Sequence, residues 1–309
     1  MPDTTTGRHH GGETVVNRFV CADCGHKQDD MGRPCDRCKS IRVVLASVVE
    51  EIVGVKHVVA ISGGKDSTAL ALARREREPD TDFLYLITPV GNELPEMAAH
   101  WNNLERLLGK PMIRLQPFGA GDGLRHLIEK MKALPNWRQR WCTRMLKIEP
   151  AIAWLSQHTP CVQYVGLRAD EDVDERTGIT GEIPSVTQRF PFREWGWGLD
   201  DVLAFLMDRG IRVPIRTDCG WCPFQRIIDW YRLWQEHPDV FEEGVQMEKL
   251  TGHTFRSAGR DTWPAALEDL RKEFEGGRHV RGMARPGCVQ LNLLEQPDED
   301  QQACRVCRM

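Results

Sequence analysis

Hydrophobic and polar positions change their spacing near Val55, and from there short apolar runs alternate with amphipathic stretches. A short apolar run between turn signals predicts a buried strand, whereas apolar positions three and four residues apart predict a helix. Strands are predicted at 55–61, 82–88, 111–115 and 161–167, and helices at 67–78, 93–108, 122–133 and 142–158, the last kinked or divided at Pro150.

Alternating strands and helices are typical of a mostly parallel sheet covered by helices on both faces. We therefore predict an α/β fold with a doubly wound, mostly parallel sheet. Further helices are predicted at 200–210, 224–235, 239–250 and 264–274. The predicted units are a disordered tail at 1–13, a zinc-ribbon-like module with a linker helix at 14–53, the α/β domain at 54–215 and a helical, cysteine-containing region at 216–309.

The helical region contains an aromatic-rich stretch at 221–234. Trp230 and Trp234 lie four residues apart, so they share one helix face. We expect this face to pack against the α/β domain, and the alternative is a platform on which a nucleic-acid base stacks.

A glycine-containing loop with the sequence SGGKDS follows the first predicted strand and opens the first predicted helix. Its glycines permit backbone angles that bring amide groups close to an anion. The helix adds N–H groups and the positive end of its dipole, and Lys65 adds a charge. The loop therefore fits phosphate or pyrophosphate, and its predicted binding residues are Ser62, Gly63, Gly64, Lys65, Asp66 and Ser67.

Other polar and glycine positions also follow predicted strands. Ligands bind to open parallel sheets beyond the carboxyl ends of the strands, so these positions converge on one crevice. Lys147 and Arg168 are then predicted to face phosphate groups. The additional predicted binding residues are Thr88, Gly91, Glu93, Gly166 and Arg168.

Eight of the 11 cysteines form four C-x-x-C pairs. The first two pairs are separated by ten residues, and two such knuckles supply the tetrahedral thiolate shell of a structural zinc site. An iron site with the same ligands is the minor alternative. The predicted zinc ligands are Cys21, Cys24, Cys35 and Cys38.

Composition and charge exclude few classes of function. Forty-one Lys and Arg face 45 Asp and Glu, a net charge of −4, so no strong overall field attracts nucleic acid. No apolar run reaches the roughly 18 residues that a membrane helix needs, and the N-terminus lacks the layout of a secretion signal. We expect a cytoplasmic protein with no membrane partner.

SGGKDS after a first strand resembles the PP-loop of the adenine-nucleotide α-hydrolase superfamily, which includes N-type ATP pyrophosphatases. Further segments across about residues 55–235 resemble its phosphoadenosine-phosphosulfate (PAPS) reductase branch. These segments are TPVGNELPE at 88–96, WCTRMLKIEP at 141–150, GLRADE at 166–171 and FPFREW at 190–195. The resemblance implies a Rossmann-like fold that binds an adenine nucleotide, ATP with Mg²⁺.

The chain departs from the reductases of that branch because it lacks their C-terminal E-C-G-x-H segment. A tail thiol, Cys304 or Cys307, is the alternative nucleophile. The iron–sulfur members pair a Cys-Cys with a C-x-x-C downstream, and here Cys142 precedes Cys219-Gly-Trp-Cys222 by 77 residues. The resemblance thus implies a [4Fe–4S] site at Cys142, Cys219 and Cys222, with a fourth ligand such as Cys288 or Cys161. A second zinc site or unliganded thiols are the alternatives.

The leading hypothesis is an enzyme that adenylates a substrate with ATP, releases pyrophosphate and then transfers sulfur. Its predicted catalytic residues are Lys65, Asp66, Lys147 and Arg168, with Asp66 helping to hold Mg²⁺. One form of this hypothesis has a nucleic acid as the acceptor. A protein that donates sulfur is a further expected partner. The alternatives are a PAPS or adenylyl-sulfate reductase, and a zinc module that binds nucleic acid beside a regulatory nucleotide pocket.

Overall fold

The computed structural model describes most of the chain from Gly54 onward and short parts of the segment before it. The described residues are 54–119, 123–171 and 183–283, preceded by Phe19–Cys21, Lys27–Gln28, 33–35, 37, 39 and Val43–Leu45. The predictions that lie outside them concern the tail at 1–13 and the thiols of Cys24, Cys38, Cys288, Cys304 and Cys307.

Three short strands form an antiparallel sheet near the N-terminus. They are β1 (Phe19–Cys21), β2 (Lys27–Gln28) and β3 (Val43–Leu45), in the order β2-β1-β3. The predicted linker helix is therefore wrong at Val43–Leu45, because adjacent β-branched valines favour extended backbone, which here pairs with β1. Cys35 is buried, and the zinc site in this region stays a prediction.

The central sheet is parallel, as the sequence predicts, and has five strands, of which the first four match predicted ones. They are β4 (Lys56–Ile61), β5 (Phe83–Ile87), β6 (Ile113–Arg114), β7 (Cys161–Tyr164) and β8 (Val186–Arg189), in the order β6-β5-β4-β7-β8. The chain runs outward from β4 to β6 and then crosses to the other side of β4. The switch point between β4 and β7 is where such sheets bind ligands.

Helices connect and cover these strands. The first are α1 (Lys65–Arg77), α2 (Pro95–Leu108), α3 (Gly123–Met131), α4 (Trp141–Thr143) and α5 (Glu149–Gln157), with a π-helical turn at Arg144–Ile148. They are followed by α6 (Pro191–Trp195), α7 (Leu199–Asp208), α8 (Ile227–Glu236), α9 (Pro238–Thr251) and α10 (Leu267–Glu275).

Each face of the sheet has its own apolar layer. On one face, Val59 and Ile61 of β4 pack with α1, α2 and α7, and α1 presents small Ala and Leu side chains that allow close approach. On the other face, Val58 and Leu86 pack with Leu155 of α5. The near-continuous apolar sequence of β4 follows from this burial on both faces.

The C-terminal helices build a separate apolar cluster with α3 and the loop after β5. Trp221 and Trp230 are both 0% exposed in it and pack near Phe255. The alternative of a base-stacking platform is therefore wrong for these two rings. The expectation of packing against the α/β domain is confirmed for Trp230, because its cluster includes α3 and the loop after β5, and Phe255 lies in the loop after α9.

Two local features differ from the periodicity. Strand β8 is absent from the predicted elements because its residues alternate between half-buried and exposed without a strong apolar run. The helix predicted at 142–158 is divided by the π turn immediately before Pro150. Proline has no N–H to donate to the carbonyl four residues earlier, so the α-helical register restarts there.

In the described residues, no helix combines the length and apolar character that a membrane crossing requires.

Candidate functional site

The loop between β4 and α1 is folded around the hydroxyl of Ser67. Its Oγ lies 3.1 Å from both the Ser62 and the Gly63 backbone nitrogens, which donate to it, and it donates to the Gly64 carbonyl at 3.2 Å. Ser67 is buried, whereas Ser62 is exposed. The loop is therefore held in shape by its own last residue before any anion arrives.

Gly63 is required by both its backbone angle and its surroundings. Its φ is +87°, a region that side chains disfavour. A Cβ there would lie 2.4 Å from Trp101 Nε1 and 2.5 Å from Met97 Sδ. Helix α2 thus packs directly against the loop, and only glycine allows that approach.

The first turn of α1 faces the crevice without a side-chain cap. Gly64 occupies the N-cap position and offers no capping side chain, so the first N–H groups of α1 keep their capacity to bind an anion. Lys65 Nζ lies 3.6 Å from Asp66 Oδ2, and both side chains are largely buried. These features place positive potential where the sequence predicts phosphate.

Arg168 lies in the loop after β7, and its guanidinium is 2% exposed. It contacts both carboxylate oxygens of Asp66 at 3.1 Å, Asp170 Oδ1 at 2.9 Å and Glu171 Oε1 at 3.5 Å. Burial lowers the pKa of Arg168, but the carboxylates of Asp66 and Glu171 outweigh it, so the pKa lies above its ordinary value. Arg168 therefore joins two loops rather than standing at the surface.

Gly166 allows the loop after β7 to lie very close to the start of α1. A Cβ at Gly166 would lie 3.2 Å from the backbone of Asp66. The loop after β7 and the start of α1 therefore touch along their backbones, and the predicted convergence of these two loops is present.

The loop after β5 is organised by Glu93. Its carboxylate accepts hydrogen bonds from the backbone of Val90 at 2.6 Å and of Gly91 at 3.0 Å. Thr88 in the same loop is half-buried. The predicted binding positions Gly91 and Glu93 thus form one compact turn at the carboxyl end of the sheet.

The Cys219–Cys222 loop is docked on that turn. Asn92 accepts from the Gly220 N–H through its carbonyl at 2.7 Å and from the Trp221 N–H through Oδ1 at 3.0 Å. Glu93 and Cys219 form an isolated antiparallel bridge. The side-chain amide of Gln225 donates to the Cys219 and Gly220 carbonyls, at 3.0 and 2.7 Å.

Cys142, Cys219 and Cys222 are neighbours beside this turn. Burial raises the pKa of the Cys142 thiol to about 11, helped by Cys219 and opposed by nearby Lys147. The hydrogen bond with Cys219, together with complete burial, raises the pKa of Cys222 well above its ordinary value. The thiols of Cys142 and Cys222 are therefore neutral at pH 7, and they are poor nucleophiles by themselves.

Among the described residues, the one trio of ligand-type atoms within 4.8 Å of one another is Glu96, Glu236 and His237. At least one of the sulfur–sulfur distances among the three thiols therefore exceeds 4.8 Å, whereas Cys219 and Cys222 are close enough to form a hydrogen bond. A zinc ion with Zn–S bonds of about 2.3 Å needs every pair of its sulfurs roughly 3.8 Å apart, whereas in an iron–sulfur cluster each thiolate binds a different iron.

Cys161 lies away from this site. It is the first residue of β7 and pairs with Lys56 at the start of β4, at the amino edge of the sheet. The suggestion of Cys161 as a fourth ligand is therefore wrong, because crevice and thiols occupy the carboxyl edge.

Three site residues escape a reading of the sequence. Asn92 and Gln225 act on backbone groups of a distant loop, and Thr217 Oγ1 lies 3.8 Å from the position of a Cβ on Gly64. Asn92 lies within the TPVGNELPE segment, but the resemblance gives it no role, and Gln225 and Thr217 belong to no motif. The nearest signal is the run of polar residues just before Cys219.

The chain matches one protein family and is similar to two solved structures. The family model described as the phosphoadenosine phosphosulfate reductase domain matches residues 56–214. The chain is similar to phosphoadenylyl-sulfate (PAPS) reductase from Candida auris, solved as a phosphate complex, with 12% identity and a TM-score of 0.42 over 53% of this chain and 77% of that one. It is also similar to the U34-tRNA thiolase NcsA from Methanococcus maripaludis, solved with its [4Fe-4S] cluster, with 14% identity and a TM-score of 0.39 over 89% of this chain and 96% of that one. No curated protein matches the chain.

Substitution of Gly63 by alanine tests the close packing of the loop. We expect Gly63→Ala to destabilise the protein by about 2 kcal/mol or more, because strained φ and overpacking each cost about 1 kcal/mol or more. Gly196→Ala is the matched control, since Gly196 has φ +69° and open space around its Cβ position. Chemical denaturation measures both, and equal losses in the two variants would contradict the packing argument.

Substitution of Arg168 by lysine tests the buried junction. Lysine cannot hold Asp66 with a planar fork, so we expect Arg168→Lys to cost roughly 3 kcal/mol of stability. Arg209→Lys is the control, because Arg209 contacts both oxygens of Glu76 at 2.7 Å on the surface and should lose under about 1 kcal/mol. A smaller loss for Arg168→Lys than for Arg209→Lys would refute the junction.

Proposed function

Because the chain belongs to the phosphoadenosine phosphosulfate reductase domain family, whose model matches just over half of its 309 residues, we propose that it is an ATP-dependent sulfur-transfer enzyme. It adenylates an acceptor, releases pyrophosphate and replaces AMP with sulfur. One observation carries the proposal: the loop that bears Cys219 and Cys222 is hydrogen-bonded to the turn that borders the nucleotide crevice.

In the adenylation step, an oxygen of the acceptor attacks the α-phosphorus of ATP. The bond from that phosphorus to the oxygen bridging to the β-phosphate breaks, and pyrophosphate leaves with the electron pair. The uncapped N–H groups in the first turn of α1 and the charge of Lys65 stabilise the charge that develops on it. A sulfur nucleophile then attacks the activated carbon, and AMP leaves.

Asp66 has a positioning role in this proposal. Its carboxylate lies between Arg168 and Lys65, two cations, which weakens its attraction for a metal ion. Mg²⁺ enters with ATP and is held mainly by the phosphates and water. Asp66 instead fixes Lys65 and the first turn of α1 against the loop after β7, and Arg168 acts through it.

The three thiols are the proposed ligands of a [4Fe–4S] cluster. At least one of their sulfur–sulfur distances exceeds 4.8 Å, which is more than one tetrahedral zinc ion allows, and burial raises the pKa of Cys142 and Cys222. Binding of iron deprotonates coordinating thiols, which removes the obstacle of a raised pKa. Cys142, Cys219 and Cys222 would hold such a cluster, which when bound supplies an iron that can carry sulfur, and Lys147 adds positive charge beside Cys142.

Reduction of a sulfonucleotide is the second candidate function, and the family match itself favours it. That reaction needs a thiol nucleophile, and the raised pKa values of Cys142 and Cys222 make both of them poor nucleophiles. Sulfite released from phosphoadenylyl sulfate, without consumption of ATP, would establish the second candidate in place of the first.

Replacement of Lys65 tests the adenylation step. With α-labelled ATP and either total RNA or DNA as acceptor, we expect AMP and pyrophosphate from the wild type. Lys65→Met should lower kcat/KM by about a hundredfold, the usual cost of one group that stabilises developing charge. Arg209→Met, at an exposed cation on another helix, should retain the rate. ADP and phosphate as products would exclude the proposal.

Serine substitutions test the cluster. After anaerobic reconstitution, we expect Cys142→Ser, Cys219→Ser and Cys222→Ser each to lower the bound iron and the visible absorbance of the protein. Cys161→Ser is the control, because that buried thiol lies at the opposite edge of the sheet. Tight zinc with no iron in the wild type would favour the zinc alternative.

A further inference from the structure

A basic segment leads into the thiol site. Residues 130–147 contain six Lys or Arg and no Asp or Glu, although the chain as a whole carries a net charge of −4. Local positive charge of this density is the electrostatic feature by which proteins attract a phosphate backbone. The basic residues are Lys130, Lys132, Arg138, Arg140, Arg144 and Lys147.

An exposed tryptophan lies within this segment. Trp137 exposes 55% of its surface, in contrast to the fully buried Trp221 and Trp230. The Asn136 side chain accepts from the backbone of Arg138 at 2.9 Å and of Gln139 at 2.8 Å, which fixes the turn that presents the indole. The Arg138 guanidinium lies 4.7 Å from the centre of the indole ring. An aromatic ring beside arginine is the usual platform for a stacked base.

The platform lies close to the thiols. Arg140 extends over the ring of Phe224, at 5.1 Å, and Phe224 follows Cys222 by two residues. Cys142 follows Arg140 by two residues, and five residues span at most about 18 Å. Arg144 Nε contacts Glu149 at 3.4 Å with both side chains exposed, a weak ion pair that a phosphate can replace.

We propose that residues 137–144 bind single-stranded nucleic acid, with a base stacked on Trp137 and phosphates on Arg138 and Arg144, so that the strand reaches Cys142. The identification of this strand as the acceptor rests on the proposed function. Binding itself is independent of it. A single strand is favoured over a duplex because stacking on an exposed indole requires a base that is not already stacked.

Fluorescence anisotropy tests the proposal with three labelled 20-nucleotide probes. They are a single-stranded RNA, a single-stranded DNA of the same sequence, and the corresponding DNA duplex. We expect Trp137→Ala to weaken binding of a single strand by about tenfold, the usual loss of one stacked base. Trp137→Phe should recover part of it. Arg138→Ala with Arg144→Ala should lower the slope of log K against log salt by about 1.4, since each contact to a single strand contributes roughly 0.7. The preference for RNA or DNA identifies which polymer is bound.

Met207→Ala with Arg209→Ala is the matched control, because it removes an exposed apolar side chain and an exposed arginine from α7. It should bind like the wild type. The proposal is overturned if the wild type binds no probe, if Trp137→Ala binds like the wild type, or if the duplex binds as tightly as the single strand. AMP formation, assayed on the same proteins, separates the proposed adenylation from the proposed nucleic-acid site. Binding that depends on Trp137 without formation of AMP rejects only the adenylation. Formation of AMP without binding of any probe rejects only the site at residues 137–144.

Discussion

The buried ion pair between Arg168 and Asp66 is the constraint on which the site depends. A guanidinium removed from water is tolerated only when its charge and its hydrogen-bond donors are satisfied, and Asp66, Asp170 and Glu171 supply this. The consequence is geometric, because the loop after β7 and the first turn of α1 cannot move separately. The anion-binding turn is therefore rigid before a ligand arrives, and Ser67 locks it from within.

A second set of contacts joins the helical region to this rigid edge. Asn92 holds the backbone of Gly220 and Trp221, and the buried indole of Trp221 anchors the same loop in the C-terminal apolar cluster. The loop that carries Cys219 and Cys222 is thus bonded to the edge of the crevice and packed in the helical region. An activated substrate and a sulfur-bearing group can be brought together there without movement of a domain.

Charged and neutral groups are distributed differently in the interior of the protein and on its surface. Inside, the thiols of Cys142 and Cys222 are neutral at pH 7, and the buried charge of Arg168 is satisfied by carboxylates. Outside, residues 130–147 carry six Lys or Arg together with the exposed Trp137. As proposed, this local patch attracts a polyanion close to Cys142 although the net charge of the chain is small.

The sequence by itself determined the parallel α/β rhythm and the glycine-containing loop that opens α1, because each depends on local spacing or on a short motif. The association of Cys142 with the Cys219–Cys222 pair, 77 residues away, was implied only by the family resemblance. Only the tertiary structure decided that Arg168 holds Asp66, that Asn92 docks the thiol loop, and that Trp137 is exposed while Trp221 is buried. The hydrophobic pattern also does not predict two strands, the weakly apolar β8 and the strand at Val43–Leu45. Local pattern fixes which backbone a segment prefers, whereas the partner of a polar side chain and the burial of an aromatic ring are set by residues distant in the chain.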